Sequence, residues 1–248
     1  MIWGWLSGSV FLGWSLGSND ASNVFGTAVG TRSVSFRTAV ICICVFCMLG
    51  ALLEGANCIE TIGGITDQSL KSAFVSSVAA ALTVTAMTFL RLPVSTSQAV
   101  VGAIIGMGLA LGQDVDVSSL GKVVLCWVGT PIGAMIVSVL LYFPLGALWN
   151  KFAAKRIQLV DDLLRIGLIA AGSYGAYALG ANNVANVTGV FASTSLGDMG
   201  SRMLAFIGAA SICLGVVTYS RRVMMTVGEK LVPLDPFTAF IAVLSEAI

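Results

Sequence analysis

The chain has 248 residues, 57% of them apolar and 10% charged, with a mean hydropathy of +0.95. A soluble domain carries roughly 25% charged residues, so this chain could not cover a water-facing surface, and its 13 Lys and Arg against 12 Asp and Glu supply no basic field for nucleic acid. It contains no histidine, which excludes Ser-His-Asp and Cys-His catalysis, histidine-ligated zinc or haem and imidazole proton shuttles, and leaves an all-α polytopic membrane protein.

A span needs about 20 mostly apolar residues. In chain order, spans are expected at 2–17, 38–53, 72–90, 99–112, 123–148, 163–179 and 203–219, and a last apolar stretch opens at Pro236. The first sixteen residues have no positive leader region, so no cleaved signal is expected. Gly- and Asn-rich sequence follows the first and sixth spans, so 2–30 and 166–197 are each read as a helix broken in its middle. Cys42, Cys44, Cys47, Cys58, Cys126 and Cys213 form no framework and read as small apolar packing residues. Trp3, Trp5, Trp14, Trp127 and Trp149 fit interfacial anchoring.

With the N-terminus outside, Arg32, Arg37, Arg91, Lys151, Lys155, Arg156, Arg165, Arg221, Arg222 and Lys230 fall on the inner side. Only Lys71, Lys122 and Arg202 fall outside. Ten against three sets that orientation, at the plasma membrane. Residues 150–165 read as a short charged cytoplasmic connector between two halves.

Those halves share a motif. Gly17-Ser-Asn-Asp-Ala-Ser-Asn-Val-Phe-Gly26 returns 163 residues later as Gly180-Ala-Asn-Asn-Val-Ala-Asn-Val-Thr-Gly189, and Leu49-Gly50 and Thr61-Ile-Gly63 recur as Leu214-Gly215 and Thr226-Val-Gly228. Five spans separate the copies, so the second enters from the opposite side. That makes an inverted-topology repeat with discontinuous helices, the arrangement of secondary transporters. The expected division is 1–149, connector 150–165, and a second repeat over 166–248. The second repeat reads as truncated: aligning Ala73-Phe74 with Ala239-Phe240 puts the counterpart of Pro93 about eleven residues past Ile248.

An aspartate at bilayer depth costs roughly 2.5–3.5 kcal/mol on insertion scales, so it usually has a partner or a task. Asn19, Asp20 and Asn23 are hard oxygen donors suited to Na⁺, or to a proton bound and released by the Asp20 carboxylate, and Asn182, Asn183 and Asn186 are their counterparts in the second copy. Helix capping is the plainer alternative for one copy, and the repeat argues against it. Pro93 then opens a helix whose first turn would crowd Ser95, Thr96, Ser97 and Gln98. Free N–H groups and hydroxyls there make an anion site. Glu54 and Glu60 read as interfacial, and Glu246 is an intramembrane acid only if its helix continues. No nucleotide-binding loop supports ATP-driven transport, no cofactor is expected beyond a coupling ion, and no nucleophile–base pair supports an intramembrane enzyme.

At these residues the chain resembles the inorganic phosphate transporter (PiT) family, including its sulfate-permease-like relatives, whose repeats carry G-A-N-D-x-x-N-x-x-G followed by L-P-[VI]-S-T-[ST]-H. The resemblance covers essentially the whole chain, including Leu92–Gly106 and the Lys122–Trp127–Pro131 helix. It implies a permease that moves phosphate with Na⁺ or H⁺ by alternating access. Asp20, Asn23, Asn183 and Asn186 would hold the cation, with Na⁺ as the metal, and Ser95, Thr96 and Ser97 beside Asp20 would meet the anion. Three departures stand out: Gln98 replaces a common His, Asn183 a common Asp, and the second Ser-Thr element is missing. The alternatives are a sulfate permease, or a non-transporting membrane subunit that needs a partner to complete its site. A homodimer is left open.

Overall fold

The computed structural model describes residues 2–55, 58–59, 69–112, 117–153, 157–191, 194, 200–231 and 234–247. Every regular element among them is helical. The first is α1, Ile2–Gly30, which at 29 residues is about 44 Å long. It runs unbroken through Gly17, contrary to the expected break. The Ser15, Ser18 and Ser22 hydroxyls bond back to the Phe11, Trp14 and Asn19 carbonyls at 2.9, 2.8 and 2.7 Å, so this polar stretch satisfies itself without leaving the helix.

Helix α2 spans Phe36–Leu53 and is capped by the Ser35 hydroxyl, which accepts from the Thr38 N–H. Helix α3, Leu70–Phe89, opens with a capping box between Ser69 and Ser72. It ends at Phe89, three residues short of Leu92, which Pro93 biases away from helix. After the turn 90–95 the chain re-enters a helix as α4, Thr96–Ala110. At 15 residues, about 22 Å, α4 cannot cross a roughly 30 Å core, so the span expected at 99–112 is a short return arm packed against α3. The discontinuity in the chain lies at this hairpin tip.

Helix α5, Val117–Ala153, has 37 residues with Pro131 and Pro144 inside it, and none of its most apolar window is buried. Helix α6, Ile157–Thr188, continues unbroken through Gly180 into the 3-10 turn Gly189–Phe191, so the second expected break is also absent. Most of the charged stretch 150–165 is therefore the end of α5 and the start of α6. Helices α7, Ser201–Tyr219, and α8, Arg221–Thr226, lead into a π-helical turn, Val227–Leu231. The last helix, α9, Pro236–Ala247, is capped by Asp235. Part of α5 (120–149), residues 158–191, α2, α3 and α7 are long and apolar enough to cross a membrane; α1, with its Ser, Asn and Asp, is not among these five.

Two crossings organise the packing. At the first, α1 meets α7 so closely that a Cβ on Gly17 would collide with the Ile212 carbonyl, and one on Gly215 with the Trp14 carbonyl. At the second, α2 meets α6 in the same way, through Gly50 on the Tyr177 carbonyl and Gly180 on the Cys47 carbonyl. The four glycines are the motif pair 17/180 and the later pair 50/215, so each motif helix packs on the second helix of the other half. One core cluster gathers Leu16, Phe25, Ile43, Leu168 and Ile212; the other gathers Leu12, Val100, Ile104, Val184 and Phe191. The six cysteines are free thiols, Cys47 fully buried, and Cys44 and Cys213 face each other's carbonyls across α2 and α7. Glu60, Thr61–Gly63, Lys155 and Arg156 lie outside the described residues.

Candidate functional site

The tip of the α3–α4 hairpin reaches into the protein and is held there by α1. Asn19, fully buried, donates from Nδ2 to the Thr88 hydroxyl at 2.9 Å and to the Leu92 carbonyl at 3.0 Å, and its Oδ1 accepts from the Val94 N–H at 2.9 Å. Thr88 in turn donates to the Val84 carbonyl. One residue on, the Thr96 hydroxyl donates to Asp20 Oδ1 at 3.0 Å; both residues are buried. Helix α6 holds the other side of the tip, where Asn186 Nδ2 donates to the Ser97 hydroxyl and to Asn183 Oδ1, both at 2.8 Å. The two motif helices thus meet at one Ser-Thr-Ser turn.

Beneath the tip lies a cavity of about 530 Å³. Asp20 and Asn23 line it from α1, Pro93 to Ser97 from the tip, Asn182 and Asn183 from α6, Thr130 from α5, and Val243 and Glu246 from α9. Among the described residues no Lys or Arg lines it. Ser95 caps α4, its hydroxyl accepting from the Gln98 N–H at 3.3 Å. The first N–H groups of a helix, here those of Thr96 and Ser97, have no acceptor within the helix and favour an anion. Carboxylate and amide oxygens in the same lining are hard donors of the kind that hold Na⁺. Donors for an oxyanion and acceptors for a cation therefore share one chamber.

The expected residues divide among three places. Asp20, Asn23, Ser95, Thr96, Ser97, Asn182 and Asn183 line the cavity. Asn19 and Asn186 do not; they bind the tip and its surroundings. Gln98 is exposed, away from the cavity, with its N–H spent on the cap. Asn182, counterpart of Asn19, is exposed and accepts a weak bond from the Cys58 thiol at 3.5 Å. Two lining residues were not legible as such. Thr130 is one hydroxyl in an apolar span, marked only by the proline after it. Glu246 stands out as an acid in apolar sequence, but its facing depends on how α9 docks.

A family model described as the phosphate transporter family matches residues 16–248. The sulfate permease CysP of Bacillus subtilis (strain 168) is 31% identical over 229 residues, covering 90% of this chain and 63% of that protein. A Methanocaldococcus jannaschii protein provisionally named a phosphate permease, MJ0630, is 26% identical over 237 residues, covering 96% of this chain and 73% of that one. The chain thus spans about three fifths to three quarters of the length of these relatives. A solved structure described as "The sodium-dependent phosphate transporter" superposes with a TM-score of 0.79 at 21% identity, over 99% of this chain and 84% of that one. It shares the fold.

Proposed function

The chain belongs to the phosphate transporter family, and from that premise we propose that it is a secondary active transporter carrying inorganic phosphate across the plasma membrane, N-terminus outside, coupled to Na⁺ or H⁺ by alternating access. One observation carries the coupling. The cavity under the Ser95–Ser97 turn is lined by two carboxylates and by no Lys or Arg among the described residues. Like charges about 4 Å apart repel by about 4 kcal/mol at an effective dielectric near 20. A dianion entering a negative interior costs a further 2.3 kcal/mol or so per charge per 100 mV. The anion therefore needs cations beside it, and the carboxylate and amide oxygens are the groups to bind them. The reciprocal glycine crossings support two related halves around this site, as inverted-repeat transporters have.

Phosphate is favoured over sulfate by the same acids. Hydrogen phosphate has an O–H to donate, and Asp20 offers an acceptor; sulfate has only acceptors. The likeness to a sulfate permease makes sulfate the competing substrate. A further reading is a subunit completed by another element, favoured by Asn182, which stands exposed where Asn19 is gripped on every side.

The test is uptake of labelled phosphate and sulfate into vesicles holding the purified chain, under Na⁺, H⁺ or no gradient. Phosphate should accumulate only with a cation gradient, and Asp20→Asn should abolish that accumulation. Uptake that persists with both gradients collapsed sinks the coupling, and normal uptake by the Asp20 variant sinks the site.

A further inference from the structure

We propose that the groove between α2 and α6 binds one anionic phospholipid, with an acyl chain laid along the groove and the phosphate held at its open end by Arg37, Arg165 and Arg221. The groove shares no lining residue with the cavity beneath the hairpin tip, and the proposal is independent of the solute carried.

The groove follows from the close crossing of the two helices. Gly50 on the Tyr177 carbonyl and Gly180 on the Cys47 carbonyl bring the backbones into contact at one level. Beyond it Gly55 meets Val184, so α2 and α6 run in the same direction. On the other side of the crossing, towards the start of α2, a space of about 760 Å³ opens between Cys42 and Phe46 of α2 and Ile166, Ala170, Tyr174 and Tyr177 of α6. These α6 residues recur at i, i+4, i+8 and i+11, one helix face. Among the described residues the lining carries no charge, and Ile166 and Tyr174 are more than half exposed. From Ile166 to Tyr177 the groove rises about 16 Å along α6, close to half of a roughly 30 Å hydrocarbon core. That is the reach of one acyl chain in one leaflet.

The open end is positive. Arg165 lies four residues before Ile169, which also lines the groove, and therefore on the same face. Arg37 stands in the first turn of α2, and the Arg221 guanidinium lies over the neighbouring Phe36 ring, 5.7 Å from its centre. All three arginines are exposed, and among the described residues none has a carboxylate within ion-pairing distance. Asp161 and Asp162, about one turn further from the groove on α6, leave Arg165 without a partner. The N-terminus of α2 adds the positive end of its dipole on the same side. Guanidinium groups present paired N–H donors that match phosphate oxygens. An apolar groove one leaflet long that ends among arginines lacking acid partners is complementary to an amphiphile with an anionic phosphate head.

The test uses the purified chain in detergent. Native mass spectrometry counts retained lipid, and thermal stabilisation reads the response to phosphatidylglycerol, to phosphatidylcholine with the same acyl chains, and to inorganic phosphate. Wild type should retain one phosphatidylglycerol per chain and show a saturable shift at several-fold lower concentration of it than of phosphatidylcholine. Arg165→Gln should weaken the phosphatidylglycerol response about fivefold, and Ala170→Trp, which fills the groove, should weaken the response to both lipids. Arg202→Gln, an exposed arginine at the far end of α7 from Arg221, should behave as wild type. Equal affinity for the two lipids in wild type, or a wild-type response in either Arg165→Gln or Ala170→Trp, overturns the proposal. A shift reproduced in full by inorganic phosphate does so too, because it needs no lipid. If Ala170→Trp splits a dimer in light scattering without changing the lipid response, the groove belongs to a second copy of the chain and the proposal falls. Should Ala170→Trp fail to fold, Arg165→Gln decides: an unchanged preference for phosphatidylglycerol there counts against the site.

Discussion

Asn19 shows how a residue type fixes chemistry but not employment. Its amide spends both Nδ2 donors and an Oδ1 lone pair on Thr88, Leu92 and Val94, so it anchors the tip and leaves the ions to its neighbours. Asn23 lies one turn further along the same face and meets the cavity. Asn19→Ala should therefore lower thermal stability by about 1–3 kcal/mol, because buried groups on the tip lose their partners. Asn19→Asp should fare no better, as it turns two donors into acceptors facing the Leu92 carbonyl. Unchanged melting in detergent for both would refute the anchor. The sequence motif marked Asn19 and Asn23 as equivalent oxygens. What separates them is the depth at which the hairpin lands, which is a tertiary fact.

The helices repeat this lesson at a larger size. A break at Gly17 was a reasonable expectation from Gly and Asn in apolar sequence, yet serines bonding to their own helix made it unnecessary. Pro93, read from the sequence as opening the next helix, instead lies in the turn ahead of the Ser95 cap, where it biases the backbone before it away from helix. The turn itself holds a surprise in Arg91, whose φ of 61° is the left-handed conformation usually given to glycine. The Leu92 N–H reaching the Met87 carbonyl and the Arg91 N–H reaching Thr88 close α3 in the pattern that needs this conformation. Arg91→Gly should thus stabilise the hairpin by about 1 kcal/mol, read as a higher melting temperature. At the start of α9, partial burial pushes the Asp235 carboxyl upward, but hydrogen bonds from Thr238 and the Phe237 N–H outweigh it and hold the group below its usual value. The cap's contribution is then full above the ordinary carboxylate pKa and falls away as pH drops through the lowered one. Asp235→Ala should cost about 0.5–2 kcal/mol at neutral pH. Its deficit against wild type should shrink in acid, and a pH-independent deficit would contradict the cap.

Across the whole molecule, the paired order of Gly17, Gly50, Gly180 and Gly215 was readable as a duplication. Their use was not, since sequence gives the order of the copies and only packing shows each copy pressed against the other. Gly17→Ala and Gly180→Ala place a methyl group into a backbone carbonyl, and each should destabilise by about 1–3 kcal/mol. Gly102→Ala, with open space around its Cβ position, should instead be neutral or gain up to about 1 kcal/mol. Equal melting temperatures for the two kinds of variant would remove the crossings as a source of stability.

The crossings also bear on how such a protein can move. Backbones in direct contact have no layer of side chains between them to shear, so α1 with α7, and α2 with α6, behave as welded struts. On the proposed transport reading, a change of access comes from parts mounted on this frame: the α3–α4 hairpin, hung on Asn19 and Asn186, and α5, whose most apolar window is unburied. Spin-label distances from α1 to α7 should stay constant while those from α1 to the hairpin tip change with Na⁺ and phosphate. The chassis would be fixed, and its suspension would do the travelling.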